Sequence, residues 1–233
     1  RYVATLTDSG VVTGSDYVTD GRSWQRLVSA DDETRSLVHT HALAGDRTAT
    51  YVVTGSAAEI GDELTSNPLV KKITFTGSTE VGKVLMAKAS QTVKKVSMEL
   101  GGNAPFLVFN DADVDRAVEG AMVAKYRNSG QTCVCTNRFF VQSGIYDQFV
   151  EKLAAASKGL KVGSGLDEGV QQGPLIDEKA VEKVEELIAD ATAKGGKVVA
   201  GGKRHQLGGT FFEPTVIADA KPQMRFMKEE ILG

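Results

Sequence analysis

From residue 51 onward, two different spacings of apolar residues alternate along the chain. Short runs of β-branched and apolar residues predict strands, and apolar residues three and four positions apart predict helices. The first helix would follow Ser56, because Glu59 stands three residues later, at the spacing of a capping box. Strands are predicted at 72–76, 93–98, 104–109, 138–142, 197–200 and 212–217, and the other helices at 80–89, 113–126, 146–160 and 181–191.

This alternation predicts an α/β fold with a largely parallel sheet, because a helix between two strands lets the second strand run in the same direction as the first. Residues 1–50 differ from the rest. A short alternation at 2–6 predicts one strand, and the remaining positions predict polar connections without a core face. Residues 1–50 therefore stay unassigned.

Composition narrows the class of protein. Hydrophobic residues make up 41% and charged residues 24% of the 233 residues, as in ordinary folded domains. The net charge of −3 and the lack of an apolar run near ~20 residues argue against a general nucleic-acid or membrane binder. Two cysteines argue against a disulfide scaffold and favour a cytoplasmic location. Because the sequence starts with Arg1, we expect it to be a piece of a longer protein.

A glycine turn between a predicted strand and a predicted helix is the first candidate site. Phe75-Thr76-Gly77-Ser78-Thr79 leads into the helix, where backbone N–H groups and the helix dipole can face a phosphate. Gly77 and Gly82-Lys83 also fit the nucleotide P-loop, but Val84 stands where that pattern needs a hydroxyl for Mg²⁺. A nucleotide hydrolase and an ordinary turn both remain open on these residues alone.

Cys133 and Glu99 are the candidate catalytic residues. Cys133 lies in the polar loop Gly130-Gln131-Thr132-Cys133, unlike a cysteine in apolar core sequence. Glu99 ends an apolar strand beside Gly101-Gly102, where partial burial would raise the pKa of its carboxyl group and suit a general base. An inert thiol and a surface carboxylate are the alternatives. No metal site is predicted, because Cys133 and Cys135 supply two of the about four ligands of zinc and the three histidines lie far off in the sequence. In an extended segment, Cys135 would face the side opposite to Cys133.

In their order along the chain, these motifs resemble the aldehyde dehydrogenase superfamily. Gly77, Glu99, Cys133 and Glu230 follow one another at separations of 22, 34 and 97 residues, and the resemblance runs from 51 to 233. The stretches 125–135 and 173–176 resemble the succinate-semialdehyde dehydrogenase branch most, with glutarate-semialdehyde dehydrogenases close to it. The stretches that carry the resemblance are Phe75-Thr76-Gly77-Ser78-Thr79, Glu99-Leu100-Gly101-Gly102, Gly130-Gln131-Thr132-Cys133 and Lys228-Glu229-Glu230.

The resemblance implies an NAD- or NADP-dependent enzyme that oxidises a semialdehyde, as in γ-aminobutyrate catabolism, to a dicarboxylic acid through a cysteine thioester. It implies a parallel-sheet catalytic domain at 101–233, preceded at 51–100 by the last part of a Rossmann-like cofactor domain. The complete protein would be a homo-oligomer, either a dimer or a tetramer. The implied roles are nucleophile for Cys133, general base for Glu99, cofactor binding for Gly77, Ser78, Leu100 and Glu230, and substrate binding for Arg127. The two-residue spacing of Cys133 and Cys135 separately predicts a reversible redox pair, because the Cα atoms of an extended segment would lie at the upper edge of disulfide geometry. A packing role for Cys135 is the alternative.

Residues 1–50 depart from the family. They contain neither the Pro-Trp-Asn-Phe-Pro-like stretch, whose Asn would stabilise an oxyanion, nor the Lys-Pro-Ala/Ser stretch that would hold the adenosine ribose. A shifted reading frame or a joined foreign segment would explain the difference. An inactive remnant of a dehydrogenase therefore remains an alternative to an active enzyme, as does a dehydrogenase for another aldehyde. The nucleotide hydrolase explains neither Glu99 nor Cys133.

Overall fold

The structure, a computed structural model, describes residues 3–4, 16–18, 24–26, 36–40 and 50–233. It divides into two compact units, residues 1–101 and 102–233. The hypothesis on the origin of residues 1–50 concerns positions most of which lie outside the described residues, and it stays a prediction.

Antiparallel strands begin the first unit. β1 (Val3–Ala4) and β4 (Ser36–Thr40) pair with β5 (Thr50–Thr54), and β2 (Asp16–Val18) pairs with β3 (Trp24–Arg26). The prediction of polar connections is wrong at β2, β3 and β4. Backbone groups of neighbouring segments pair there, although the sequence has no regular alternation of apolar side chains that would predict a strand.

A β–α–β element completes the first unit. α1 (Ala57–Ser66) begins at Ser56, whose hydroxyl accepts the Glu59 N–H at 3.4 Å, so the predicted N-cap is confirmed. β6 (Lys72–Thr76) and β7 (Lys95–Glu99) then pair in parallel, connected by α2 (Thr79–Ser90). Because the strands are parallel and in register from Lys72 to Thr76, their carboxyl ends meet at one edge.

The second unit repeats this arrangement. β8 (Ala104–Val108) and β9 (Thr136–Val141) pair in parallel, and α3 (Val114–Tyr126) lies between them in the chain. α4 (Tyr146–Lys158) follows β9 and packs against α3. The core between these elements consists of Val108, Val118, Ala121, Phe149 and Leu153. The connection from α3 to β9, which carries the cysteines, is thus fixed at both ends.

The last elements are α5 (Glu178–Ala193), β10 (Lys197–Ala200) and β11 (Val216–Ala218). β10 and β11 pair antiparallel, alongside the two parallel pairs of a sheet expected to be largely parallel. The predicted strand at 212–217 is wrong over 212–215, because Pro214 has no N–H to donate to a ladder and β11 starts only at Val216. The two parallel pairs with their connecting helices nevertheless confirm the α/β class.

Candidate active site

Four of the predicted site residues lie together at the carboxyl end of β6 and β7. Gly77 donates its backbone N–H to the carbonyl oxygen of Glu99 at 3.0 Å. Ser78 is the next residue and the N-cap of α2. The side chain of Leu100 packs so closely on Gly82 of the same helix that a Cβ there would clash. Within the first unit, the structure therefore gathers Gly77, Ser78, Glu99 and Leu100 around the start of α2.

The start of α2 is exposed and has free donors. The Ser78 hydroxyl accepts the Val81 N–H at 3.3 Å, which fixes where the helix begins. The first N–H groups of a helix have no acceptor inside it, so those of Thr79 and Glu80 point outward. Such donors, together with the helix dipole, favour a phosphate. The Glu80 carboxylate in the first turn works against this preference.

A nucleotide P-loop is not present at this turn. In that motif, the residues between the two glycines form a loop around the phosphates. Here α2 already begins at Thr79, so Gly82 and Lys83 lie inside the helix. Val84, in the position that should carry the Mg²⁺ hydroxyl, is exposed. The nucleotide-hydrolase alternative therefore loses its structural basis.

Glu99 is exposed within the first unit, which agrees with the alternative of a surface carboxylate. Successive side chains of a strand point to opposite faces. Along β7 the more buried positions are Val96 and Met98, and Glu99 falls on the other face with Lys95 and Ser97. The role of Glu99 as a general base stays a prediction.

Cys133 stands at the tip of a tight turn. The Cys135 N–H donates to the carbonyl oxygen of Thr132 at 3.1 Å, which places Cys133 and Val134 at the two central positions. The expectation of an extended segment is therefore wrong, because this hydrogen bond closes the chain on itself. Cys133 is exposed and Cys135 is buried, and both thiols are free.

The buried thiol of Cys135 connects the turn to the end of α3. Its Sγ lies 2.7 Å from the Thr132 hydroxyl, and it donates to the carbonyl oxygen of Arg127 at 3.6 Å. Arg127 is the C-cap of α3, and its side chain is exposed. The guanidinium takes part in none of the ion pairs in the described part of the chain. Arg127 and Cys133 thus share one exposed connection.

The backbone before Cys133 has an uncommon conformation. Asn128, Ser129 and Gly130 have φ values of 52°, 56° and 75°, in the left-handed region. Residues other than glycine adopt this region at a cost of roughly 1–2 kcal/mol each, so surrounding contacts must hold them. The Ser129 hydroxyl supplies two such contacts: it accepts the Gly173 N–H at 3.0 Å and donates to the Gly173 carbonyl at 3.2 Å.

Gln131 adds a second connection between the same two segments. Its Nε2 donates to the carbonyl oxygen of Pro174 at 3.2 Å, and its Oε1 accepts the Ile176 N–H at 2.9 Å. The stretches 125–135 and 173–176, which the sequence related to one branch of the family, are therefore bound to each other. No local pattern predicts these contacts of Ser129 and Gln131, since their partners lie more than forty residues away.

Glu230 lies near the cysteine turn, with Gly102 between them. The Gly102 N–H donates to Oε1 of Glu230 at 3.2 Å. A Cβ built on Gly102 would lie 3.6 Å from the carbonyl oxygen of Cys133. From the other side, Nζ of Lys183 donates to the Glu230 carbonyl at 2.9 Å. The second unit therefore gathers Arg127, Cys133, Cys135 and Glu230.

Lys125 is a residue of this region that the sequence did not single out. Its Nζ donates to Oδ1 of Asn137 and to the carbonyl oxygen of Gly233, each at 2.9 Å. Burial lowers the pKa of Lys125 to about 8, and the nearby Cys135 acts in the opposite direction. A lysine near the end of a helix is ordinarily solvent-exposed, so its only signal was its place in the stretch 125–135.

Two further properties concern binding. No group of three or more His, Cys, Asp or Glu side chains suited to a metal ion occurs among the described residues. In the same part of the chain, no helix combines the length and the apolar character needed to cross a membrane.

The protein has an α/β fold. Its exposed cysteine lies on a hydrogen-bonded turn with one glutamate nearby, and another glutamate ends a strand beside a glycine turn. Together these features indicate the class of this protein. The sequence profile of the aldehyde dehydrogenase family matches residues 40–233, and the chain belongs to that family. The resemblance noted in the sequence is confirmed, and the match starts before Tyr51, inside the segment left unassigned.

Within the family, the most similar proteins include semialdehyde dehydrogenases. The chain is 65% identical over 182 residues to a glutarate-semialdehyde dehydrogenase of Pseudomonas aeruginosa, covering 78% of the chain and 38% of the relative. It is 62% identical, with the same coverage, to an NADP⁺-dependent succinate-semialdehyde dehydrogenase of Escherichia coli. The chain is also similar to a crystal structure of succinate-semialdehyde dehydrogenase from Burkholderia pseudomallei, with 61% sequence identity and a TM-score of 0.77. This match covers 78% of the present chain and 38% of the chain in that crystal structure. The chain thus spans a little over a third of its curated relatives.

Proposed function

We propose that the full-length protein oxidises succinate semialdehyde, or the longer glutarate semialdehyde, to the dicarboxylic acid with NAD⁺ or NADP⁺. The observation that carries this proposal is the exposed thiol of Cys133 on the same connection, after α3, that carries Arg127. The names of the relatives at 62–65% identity support the substrate class. The cytoplasmic location and the homo-oligomeric assembly stay predictions.

Cys133 is the proposed nucleophile. Its thiolate adds to the aldehyde carbon and forms a C–S bond. The Cys133 N–H is not used by the hydrogen bond that closes the turn, so it can donate to the negative charge developing on the aldehyde oxygen. Loss of a hydride from that carbon leaves a thioester on Cys133. Water then adds to the thioester, the carboxylic acid departs and the thiol is restored, with Glu99 proposed to take the proton from that water.

The residues around the start of α2 and at Glu230 fit a nicotinamide dinucleotide. When bound, this cofactor accepts the hydride. Gly77 and Ser78 would bind the pyrophosphate at the exposed helix start, where outward N–H groups are available. Leu100 would line the pocket with apolar surface. One carboxylate oxygen of Glu230 accepts from Gly102, and the other would accept from a ribose hydroxyl.

Arg127 is the proposed contact for the substrate carboxylate. A semialdehyde of a dicarboxylic acid has a carboxylate a few bonds from the aldehyde. A guanidinium can bind both carboxylate oxygens at once, which an ammonium group does less well. Because the Arg127 side chain is exposed and outside the described ion pairs, it can take this role without first losing another partner.

The test uses the full-length protein with each semialdehyde and each cofactor, and follows the formation of reduced nicotinamide. The Cys133→Ala variant is expected to lose aldehyde oxidation and to keep cofactor binding. Val134→Ala is the matched control, since it shortens the exposed neighbour on the same turn. Substantial turnover by Cys133→Ala, or no turnover of either semialdehyde by the unmodified protein, would reject the proposal.

A further inference from the structure

Lys125 is half-buried, and its ammonium group lies next to the cysteine loop, residues 128–135, which connects α3 to β9. A Cβ built on Gly130 would lie 2.9 Å from Nζ of Lys125, so the ammonium group contacts the part of that loop with left-handed backbone. Its two hydrogen bonds leave the loop in other directions, one to Oδ1 of Asn137 on β9 and one to the carbonyl oxygen of Gly233. Lys125 therefore contacts both the loop and the last residues of the sequence.

Asn137 extends the connection. While its Oδ1 accepts from Lys125, its Nδ2 donates to the carbonyl oxygen of Ile231 at 3.3 Å. The segment 231–233 follows Glu230 directly, so Lys125 and Asn137 together hold the backbone immediately after that carboxylate. Lys183 binds the backbone of Glu230 itself, from α5. The two lysines thus hold this segment from different elements, and of the two only Lys125 also has the described contact with the cysteine loop.

The surroundings of Lys125 indicate that its ammonium group holds the structure together and does not serve solubility. An ammonium group that leaves water loses hydration free energy, and hydrogen bonds from a charged donor offset part of that loss. The lowered pKa of Lys125, about 8, reflects the same burial. A lysine that served solubility would point its charge into water, as Lys152 does on α4, where it pairs with Asp115 at the surface.

We propose that Lys125 and Asn137 are a positioning pair that fixes the Glu230 segment against the cysteine loop, and thereby sets how tightly the nicotinamide ribose is bound. Neither residue touches the reacting atoms. The pair acts through the backbone of 231–233, which determines where the Glu230 carboxylate stands. This inference rests on the proposed function, because it takes Glu230 as the ribose contact.

The experiment measures cofactor dissociation constants and steady-state constants on the full-length protein. Lys125→Met keeps the apolar part of the side chain and removes its hydrogen bonds to Asn137 and Gly233. Asn137→Ala removes the hydrogen bonds to Lys125 and Ile231 and leaves the lysine in place. Each is expected to weaken cofactor binding and raise the cofactor KM roughly tenfold, as for loss of a charge-assisted contact. The aldehyde KM should change less than about twofold. The two losses should add incompletely in the double variant, because Lys125 and Asn137 are also hydrogen-bonded to each other.

Lys152→Met is the matched control and should leave all of these constants unchanged. Unaltered cofactor binding in both variants would overturn the inference, as would equal increases in both KM values, which indicate a general loss of structure. Additive losses in the double variant would overturn it too. Glu230→Gln separates the two hypotheses. If it leaves cofactor binding intact, the assigned role of Glu230 fails. If it weakens binding while the Lys125 and Asn137 variants do not, only the positioning pair fails.

Discussion

Replacing Arg127 with alanine in the full-length protein asks whether this residue binds the substrate carboxylate or supports the loop. The guanidinium is exposed at the end of α3, and the backbone of Arg127 keeps its contact with Cys135 whatever the side chain. The substitution therefore removes a positive charge and leaves the local hydrogen bond in place. We expect a selective loss on aldehydes that carry a carboxylate.

The size of the loss follows from the contact that would be removed. A hydrogen bond to a charged group contributes about 1.5–3 kcal/mol, which corresponds to roughly 10- to 150-fold in kcat/KM. Binding of the substrate carboxylate by Arg127 would break no ion pair within the described residues, so the substitution should remove the full contribution of this contact. The assay compares kcat/KM for succinate semialdehyde with that for butyraldehyde, which has the same chain length and no carboxylate.

Arg116→Ala provides the control, because Arg116 is an exposed arginine at the opposite end of the same helix. It should leave both substrates unaffected. If Arg127→Ala lowers kcat/KM equally for succinate semialdehyde and butyraldehyde, then Arg127 supports the loop and the carboxylate assignment is refuted.

Three further changes test the remaining assignments. Glu99→Gln should slow hydrolysis of the thioester by about 10²- to 10⁴-fold, the usual contribution of a general base, while a rapid-quench burst of the first turnover persists; an unchanged hydrolysis rate would count against the base. Peroxide should inactivate the full-length protein and dithiothreitol restore it, with Cys135→Ser abolishing the recovery; because the buried thiol of Cys135 must leave the turn to meet Cys133, formation of the disulfide should be slow. Ser129→Ala removes two hydrogen bonds and should lower the free energy of unfolding in urea by about 1–3 kcal/mol, whereas Ser143→Ala, at an exposed position, should not.

The sequence by itself determined the local elements and the family. Ser56 with Glu59 specified the start of α1, and the β-branched run at 72–76 became β6 at the predicted residues, because both signals act over a few residues of backbone. The order of the motifs at Gly77, Glu99 and Cys133 was enough to indicate an aldehyde dehydrogenase. One sequence is enough to predict these features, because they depend on residues that are close to one another along the chain.

The tertiary structure decided how distant segments meet. Glu99 is exposed because it falls on the face of β7 opposite to the more buried Val96 and Met98. Cys133 stands at the tip of a turn because a hydrogen bond between Thr132 and Cys135 replaces an extended path. The contact of Lys125 with Gly233 spans 108 positions, a separation over which no period of side chains carries information. Such contacts form only when the core of the second unit brings α3, β9 and the final residues together, so they become visible in the folded chain.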